Sequence, residues 1–379
     1  MSVFKKFQQS RAGQAGKVDY VFLGLTAAIV VLGLVFLTSA SSVIAFQKWG
    51  DSYHLIKRQL LFGLLPGFVL AFVLARVPYE RLRRLALPAL VCSFALLVLV
   101  FLPGLGASYG GARRWLRLGA FLLQPAELVK LGFLVYLAAW LERLGPEVRS
   151  FTRGFVPFVL TLGAVLSLIV LQPDIGTMTV VAVSSVVVFF VAGSRASHLA
   201  LFALGGGALL WLVLTFAPYR AQRLTVFLHP ELDPQGIGYH VNQALLAVGS
   251  GGWFGVGLGY SRQKYAYLPE VTSDSVFAIM AEEIGFVFTF GFLVLVAAFL
   301  FRGFRIAARA PDPFGRYLAT GIVVWLGWQT CINVASMLSL LPLTGVPLPF
   351  VSAGGTALAT SLAGIGILLS ISRVGRSAS

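Results

Sequence analysis

The residues able to do chemistry in this chain are few, and most sit where charge is expensive. Asp274 stands where a long loop gives way to an apolar run, after Leu268-Pro269-Glu270 and between Ser273 and Ser275. A carboxylate there either caps the following helix or serves as a general base, and both serines can cap in its place. Glu282 and Glu283 follow eight and nine residues later. Such a spacing is about two helical turns, so Asp274 and Glu282 share a face, whereas Glu283 turns away by roughly 100° toward another helix. Glu127 and Lys130, three apart inside another apolar run, face one side of a helix. They read as an intrahelical ion pair or as the wall of a polar cavity, and Lys130, about a turn deeper, can snorkel only in part. Upstream, Gly110-Gly111-Ala112-Arg113-Arg114-Trp115 supplies two adjacent guanidiniums. They suit an anionic partner such as a phosphate head group, or lipid contact beside Trp115 in the interfacial belt.

Positioning such groups falls to membrane helices. Hydrophobic residues make up 58% of the 379 and charged residues only 11%, against roughly 25% charged in a soluble domain. This excludes a soluble enzyme and a disordered chain. The net charge of +15 invites a nucleic-acid reading, but basic residues in so apolar a chain set membrane topology instead. Ten apolar runs are present, at 20–46, 59–77, 84–103, 125–142, 154–172, 175–193, 197–216, 275–301, 316–340 and 354–373. Each approaches the ~20 residues that cross a bilayer. Continuous runs, rather than alternating segments of about ten residues, exclude a membrane barrel. The pattern predicts an all-α polytopic protein. With the N-terminus inside, 18 Lys and Arg fall on inside segments and 10 on outside ones, with Lys130 in a span. Both termini are then cytoplasmic: a leader at 1–18, one membrane domain at 19–373 and a tail at 374–379. The first run follows a polar leader and is followed by further spans, so it is not a cleaved signal peptide.

Three outside segments stand out. Residues 104–124 are Gly- and Arg-rich. Residues 217–273 form one long loop that carries Arg220, Arg223, Arg262 and Lys264. Its Leu245, Leu246, Trp253 and Phe254 make it too apolar for disorder, and a surface helix is expected near 239–248. Residues 341–353 hold three prolines and predict a rigid, non-helical path packed in protein or lining a wet cavity. Asp174 reads as a helix cap, and Asn333 and Ser336 as interhelical hydrogen bonders. The four histidines and two cysteines show no metal spacing, and no phosphate-binding loop occurs.

Together these residues resemble the SEDS family (shape, elongation, division and sporulation), the polytopic peptidoglycan polymerases that include FtsW and RodA. The matching stretches are Gly111-Ala112-Arg113-Arg114-Trp115, Gln124-Pro125-Ala126-Glu127-Leu128-Val129-Lys130-Leu131, Gln172-Pro173-Asp174, Tyr267-Leu268-Pro269-Glu270 through Asp274, Glu282-Glu283, and Pro347-Leu348-Pro349-Phe350. Gly50-Asp51, Lys57-Arg58-Gln59 and Gly257-x-Gly259-x-Ser261-x-Gln263-Lys264 look more like the FtsW branch. The chain departs from the family pattern at Thr272, Ser275 and Ala353.

The resemblance implies a glycosyltransferase that polymerises lipid II at the outer membrane face, with Asp274 as general base on the acceptor hydroxyl. It places Glu127 and Lys130 in a central cavity with Arg113 and Arg114 near it; Glu282, by its spacing from Asp274, is a further substrate-binding candidate. Undecaprenyl pyrophosphate would leave against the charge of Arg113, Arg114 or Lys130. A divalent cation, Mg or Mn, held by Asp274 would share that work. The implied partner is a class B penicillin-binding protein, which supplies the transpeptidase. A septal role follows from the FtsW likeness; an elongation-type, RodA-like polymerase, a lipid II flippase and an inactive scaffold remain the alternatives.

Overall fold

The computed structural model describes residues 18–109, 112–119, 121–216, 225–229, 232–233, 236–265 and 267–375. Most of the 1–18 leader, Gly110, Gly111, Arg220, Arg223 and residues 376–379 lie outside the described residues.

A helix lies over each of the ten apolar runs. In chain order they are α1 (Tyr20–Trp49), α2 (His54–Arg76), α3 (Tyr79–Leu99), α4 (Pro125–Leu144), α5 (Phe151–Leu171), α6 (Ile175–Val191) and α7 (Ala196–Phe216). After the loop helix α8 (Ile237–Ser250) come α9 (Val276–Ala308), α10 (Pro313–Met337) and α11 (Gly355–Gly375). Among the described residues, seven helices are long and apolar enough to cross a membrane. The buried Glu127 and Lys130 lower the apolar character of α4, which is not one of the seven.

The sequence explains the ends of these helices. Asp19, Asp174 and Asp312 each accept a hydrogen bond from a backbone N–H in the first turn of α1, α6 and α10 (Phe22 at 3.1 Å, Thr177 at 3.0 Å, Gly315 at 2.8 Å). They satisfy amides that the helix itself leaves open. Most of the wall of α10 is buried, including Trp325, Gln329 and Asn333. In contrast, α2 and α3 expose Phe68, Val69, Leu87 and Val91, as lipid-facing helices do. Helices in lipid gain little from apolar burial between themselves and instead rely on close packing. The seam of α2 and α11 shows this: a Cβ at Gly67 would sit 2.9 Å from the Ala359 Cα, and one at Gly366 would sit 2.5 Å from the Ala71 carbonyl oxygen.

Two features depart from the sequence expectation. The protein is not purely helical. Residues 104–124 contain a three-stranded antiparallel sheet, β1 (Gly106–Tyr109), β2 (Ala112–Leu118) and β3 (Phe121–Leu123). Tyr109 pairs with Ala112, and the intervening Gly-Gly is a hairpin signal hidden in an arginine-rich stretch. The loop helix, expected at 239–248, spans 237–250. It packs Val241, Ala244 and Ala247 inward and leaves Leu245 and Leu246 exposed.

The second departure is a break in α9. Gly285 has φ 71° and ψ −178°, a conformation closed to other residues. The backbone groups freed there pair with the loop that follows α8. Val256 and Gly257 donate to the Glu282 and Glu283 carbonyls (both 3.0 Å), while Phe286 and Val287 donate to the Gly252 and Trp253 carbonyls (2.8 and 3.1 Å). A broken helix at membrane depth is tolerated when protein satisfies it in this way. A Cβ at Gly285 would lie 2.2 Å from the Gly255 nitrogen. Gly285→Ala combines backbone strain with overpacking and is expected to lower stability by more than about 3 kcal/mol, read as a fall in thermal midpoint. An unchanged midpoint would contradict the inferred strain.

Candidate active site

Asp274 lies at the entry to α9, 7% exposed. The Ser273 hydroxyl reaches both Asp274 Oδ1 (3.2 Å) and Glu270 Oε2 (2.8 Å). One hydroxyl therefore bridges two neighbouring carboxylates. The turn that presents Asp274 is fixed on three sides. Asn333 Nδ2 of α10 donates to the Asp274 carbonyl and to the Val346 carbonyl, both at 2.8 Å. The Ala353 amide donates to the Thr272 carbonyl at 2.7 Å. The Ser275 hydroxyl donates to the Pro269 carbonyl at 2.8 Å and contacts His240 Nε2 at 2.8 Å. Since the serine proton goes to Pro269, Nε2 carries the imidazole proton in this pair. Burial holds His240 below the ordinary histidine pKa, opposed by the Glu270 carboxylate. All three departures from the family pattern, Thr272, Ser275 and Ala353, thus belong to the brace around Asp274. Residues 341–353 take the non-helical path expected and pass beside it; a Cβ at Gly345, where φ is +68°, would sit 3.9 Å from Asp274 Oδ2.

Glu127 and Lys130 form the expected pair in α4. Lys130 Nζ is 2.8 Å from the Glu127 carboxylate, and both side chains are 2% exposed. Lys130 also donates to Gln329 Oε1 (2.8 Å) and lies 4.9 Å from the Trp325 ring centroid. The same Gln329 oxygen accepts from Trp325 Nε1 (2.8 Å), and Gln329 Nε2 donates to the Pro347 carbonyl (2.9 Å). Gln329 and Asn333 are one turn apart on α10. That helix therefore braces Lys130 with one side chain and the Asp274 turn with the other, both against the same Pro-rich loop. Gln329 and Trp325 escape sequence reasoning because no local pattern links them to Lys130; a polar Gln four residues before Asn333 in an apolar helix is the one signal available.

The remaining candidates divide. Arg114 Nε donates to the Gln172 carbonyl (3.2 Å), and its Nη2 donates to the Pro173 carbonyl. The β2 strand is thereby tied to the turn before α6. Arg113 is exposed. Neither arginine has an ion-pair partner among the described residues. The Glu282 side chain is buried. Its carboxylate accepts from the Ser261 hydroxyl (2.5 Å) and from the Arg262 and Gln263 amides (2.9 and 3.4 Å), and so fastens the long loop to α9. Glu283 turns to α1, as its offset suggested: Oε1 accepts from Ser39 (2.6 Å) and from Lys264 (3.1 Å). Among the described residues, no group of three His, Cys, Asp or Glu side chains is assembled for a metal.

A multi-pass membrane protein that buries a carboxylate–ammonium pair and presents a braced carboxylate at a helix entry is the class these observations define. The FtsW/RodA/SpoVE family model, described as a cell cycle protein, matches residues 20–377. Stage V sporulation protein E of Bacillus subtilis is 42% identical over 94% of this chain and 98% of its own length. A protein of Trichlorobacter lovleyi named probable peptidoglycan glycosyltransferase FtsW is 40% identical over 93% of each chain. Among solved structures, a chain of a peptidoglycan synthase complex, reported for its coordination of polymerization and crosslinking, superposes with TM-score 0.77 at 34% identity, covering 94% of this chain and 98% of that one. Rod shape determining protein RodA of Thermus thermophilus gives TM-score 0.69 at 34% identity, over 94% and 97% of the two chains. The chain belongs to the FtsW/RodA/SpoVE family, the SEDS family of the sequence reading, and is a multi-pass protein of the bacterial cytoplasmic membrane.

Proposed function

We propose that this chain is a peptidoglycan glycosyltransferase that polymerises lipid II at the outer face of the cytoplasmic membrane during septal wall synthesis. Ten spans with both termini cytoplasmic would place Asp274 on that face. The observation that carries the reading is the brace itself: Asp274 and the Glu127–Lys130 pair are both held from α10 and residues 341–353. The 40% identity to a relative named as such a transferase supports the reaction class.

In this account Asp274 takes the proton of the acceptor sugar hydroxyl as that oxygen attacks the anomeric carbon of the donor. The bond to undecaprenyl pyrophosphate breaks and the leaving group carries away the electron pair. Its charge needs fixed cations. Arg113 and Arg114 suit this best, because neither pairs with a carboxylate among the described residues, whereas Lys130 already answers to Glu127. Lys130 instead ties α4 to Gln329 of α10, the helix whose Asn333 braces the Asp274 turn. Mg and Mn are held by one or two carboxylates with substrate phosphates completing the shell. Asp274 and Glu270, drawn together by Ser273, fit that donor set, and a bound cation would add Lewis-acid stabilisation of the pyrophosphate. A class B penicillin-binding protein is the proposed partner, consistent with the synthase complex among the structural neighbours.

Arg114→Ala removes one leaving-group cation and unties β2 from the Gln172–Pro173 turn. Steady-state polymerisation should slow by roughly 10²-fold, the usual effect of losing one such donor; an unchanged rate would exclude Arg114 from the reaction. The function as a whole is tested by depletion of the resident septal polymerase in a host cell. Expression of this chain should restore septal wall synthesis and Asp274→Ala should not. Restoration by Asp274→Ala would make the chain a scaffold.

A further inference from the structure

Residues 341–353 are gripped from two sides. At their start α10 holds them: Ser336, Asn333 and Gln329 donate to the Pro342, Val346 and Pro347 carbonyls at 3.0, 2.8 and 2.9 Å. At their end the grip comes from α2. Gln59 Nε2 donates to the Ser352 carbonyl (3.2 Å), and Gln59 Oε1 accepts from the Gly354 amide (3.0 Å). One carboxamide thus straddles residue 353, meeting a carbonyl and an amide as a neighbouring strand would. The residue between them, Ala353, donates its own amide to the Thr272 carbonyl of the Asp274 turn at 2.7 Å.

We infer that Gln59 is a positioning residue for Asp274, acting through residue 353. Its chemistry suits the task. A glutamate of the same length, once ionised, accepts from Gly354 but has no proton for the Ser352 carbonyl, and a methionine fills the space with neither bond. Its burial suits the task as well. Gln59 is 4% exposed, on a helix that shows Leu61, Leu65 and Phe68 to the outside. Of the Lys57-Arg58-Gln59 stretch, the glutamine is the member that faces inward.

The backbone of α2 is built to keep it there. Gln59, Gly63, Gly67 and Ala71 recur every four residues. Gly63 and Gly67 press on α11, where a Cβ would come within 3.1 Å of the Gly355 Cα and 2.9 Å of the Ala359 Cα. A four-residue repeat drifts by about 40° per step around a regular α-helix. Here the helix takes one wider π-turn at Leu60–Leu64, with the Leu65 amide reaching the Leu60 carbonyl. Such single π-turns gather at functional sites, and this one takes up the drift between Gln59 and the glycines below it. The grip on the Asp274 turn rests on this geometry, whereas its effect on turnover rests on the polymerase reading.

The test sets purified full-chain Gln59→Met beside wild type, read by hydrogen exchange and by polymerisation of detergent-solubilised lipid II. Exchange should quicken by roughly tenfold in residues 350–355, which lose the clip, and also in residues 270–276, which those residues hold. Turnover should fall by about 10–10²-fold, the scale of a misplacement of up to 1 Å. In an Asp274→Asn background the same change should alter the residual rate by no more than about twofold, because it acts through the carboxylate already lost. Faster exchange confined to 350–355, or equal slowing in both backgrounds, would overturn the inference and leave Gln59 a structural contact. Should Gln59→Met not fold, Gln59→Asn, which keeps both polar groups one methylene short, carries the same comparisons. If wild type makes no polymer yet both segments exchange faster in the variant, the grip on the turn stands and the polymerase reading falls. If wild type polymerises and residues 270–276 exchange as before, the grip falls and the polymerase reading stands.

Discussion

Asp274→Asn is expected to lower the rate of glycan polymerisation by 10²–10⁴-fold, the range that a positioned proton acceptor contributes. Asparagine keeps the shape of the side chain and can still meet the Ser273 hydroxyl that lies 3.2 Å from Asp274 Oδ1. The Asn333 bond goes to the Asp274 backbone carbonyl and survives any substitution there. Folding should therefore be preserved, and the loss should appear in the rate with the thermal midpoint unchanged. Asp274→Glu retains the base but pushes it further by one methylene against a turn held by Asn333, Ala353 and Ser275. A shift of about 1 Å in a reacting group can cost 10²-fold, so glutamate should rescue poorly. Good rescue by glutamate would mean the brace is slack.

Lys130→Met should destabilise the protein by about 3–5 kcal/mol, because it leaves the Glu127 carboxylate buried without its counter-charge. The pair is almost fully enclosed, with both side chains 2% exposed, so solvent offers no screening. Gln329 would lose its donor from Lys130 as well, although Trp325 would still bond to it. The double variant Glu127→Gln/Lys130→Met removes both charges and should recover much of that loss, as buried ion pairs replaced together commonly do. Thermal unfolding of the two variants measures the difference. Equal destabilisation by the single and double changes would show that Lys130 acts through packing against Trp325 and not through charge. Neither variant should recover full polymerisation, since α10 then loses the Lys130 bond that ties it to α4.

The sequence made the chemistry visible where charge interrupts an apolar run. Glu127 and Lys130 are three apart in such a run, and their ion pair is the simplest consequence of helical spacing. Asp174 capped a helix as read, and Glu283 turned to another helix by its offset from Glu282. What stayed hidden depends on contacts between distant segments. Glu282 shares a helical offset with Asp274, yet three donors from the long loop claim its carboxylate. Lys264 counts as an outside charge by topology, yet is buried against α1 and α9. The sheet at 106–123 was masked by the surrounding glycines and arginines, which suggest a loop. The break at Gly285 is invisible locally, since its freed amides and carbonyls are met by backbone groups 30 or so residues earlier, and backbone pairing of this kind leaves no residue pattern.

The most direct measurement is the length-resolved product made from detergent-solubilised lipid II by the purified chain, wild type beside Asp274→Asn, with no bilayer present. The account predicts glycan strands from wild type and a rate at least about 10²-fold lower from the variant at equal thermal midpoint. A flippase would give no strands from either. Strands made at equal rates by both would contradict the assignment of Asp274 as the base.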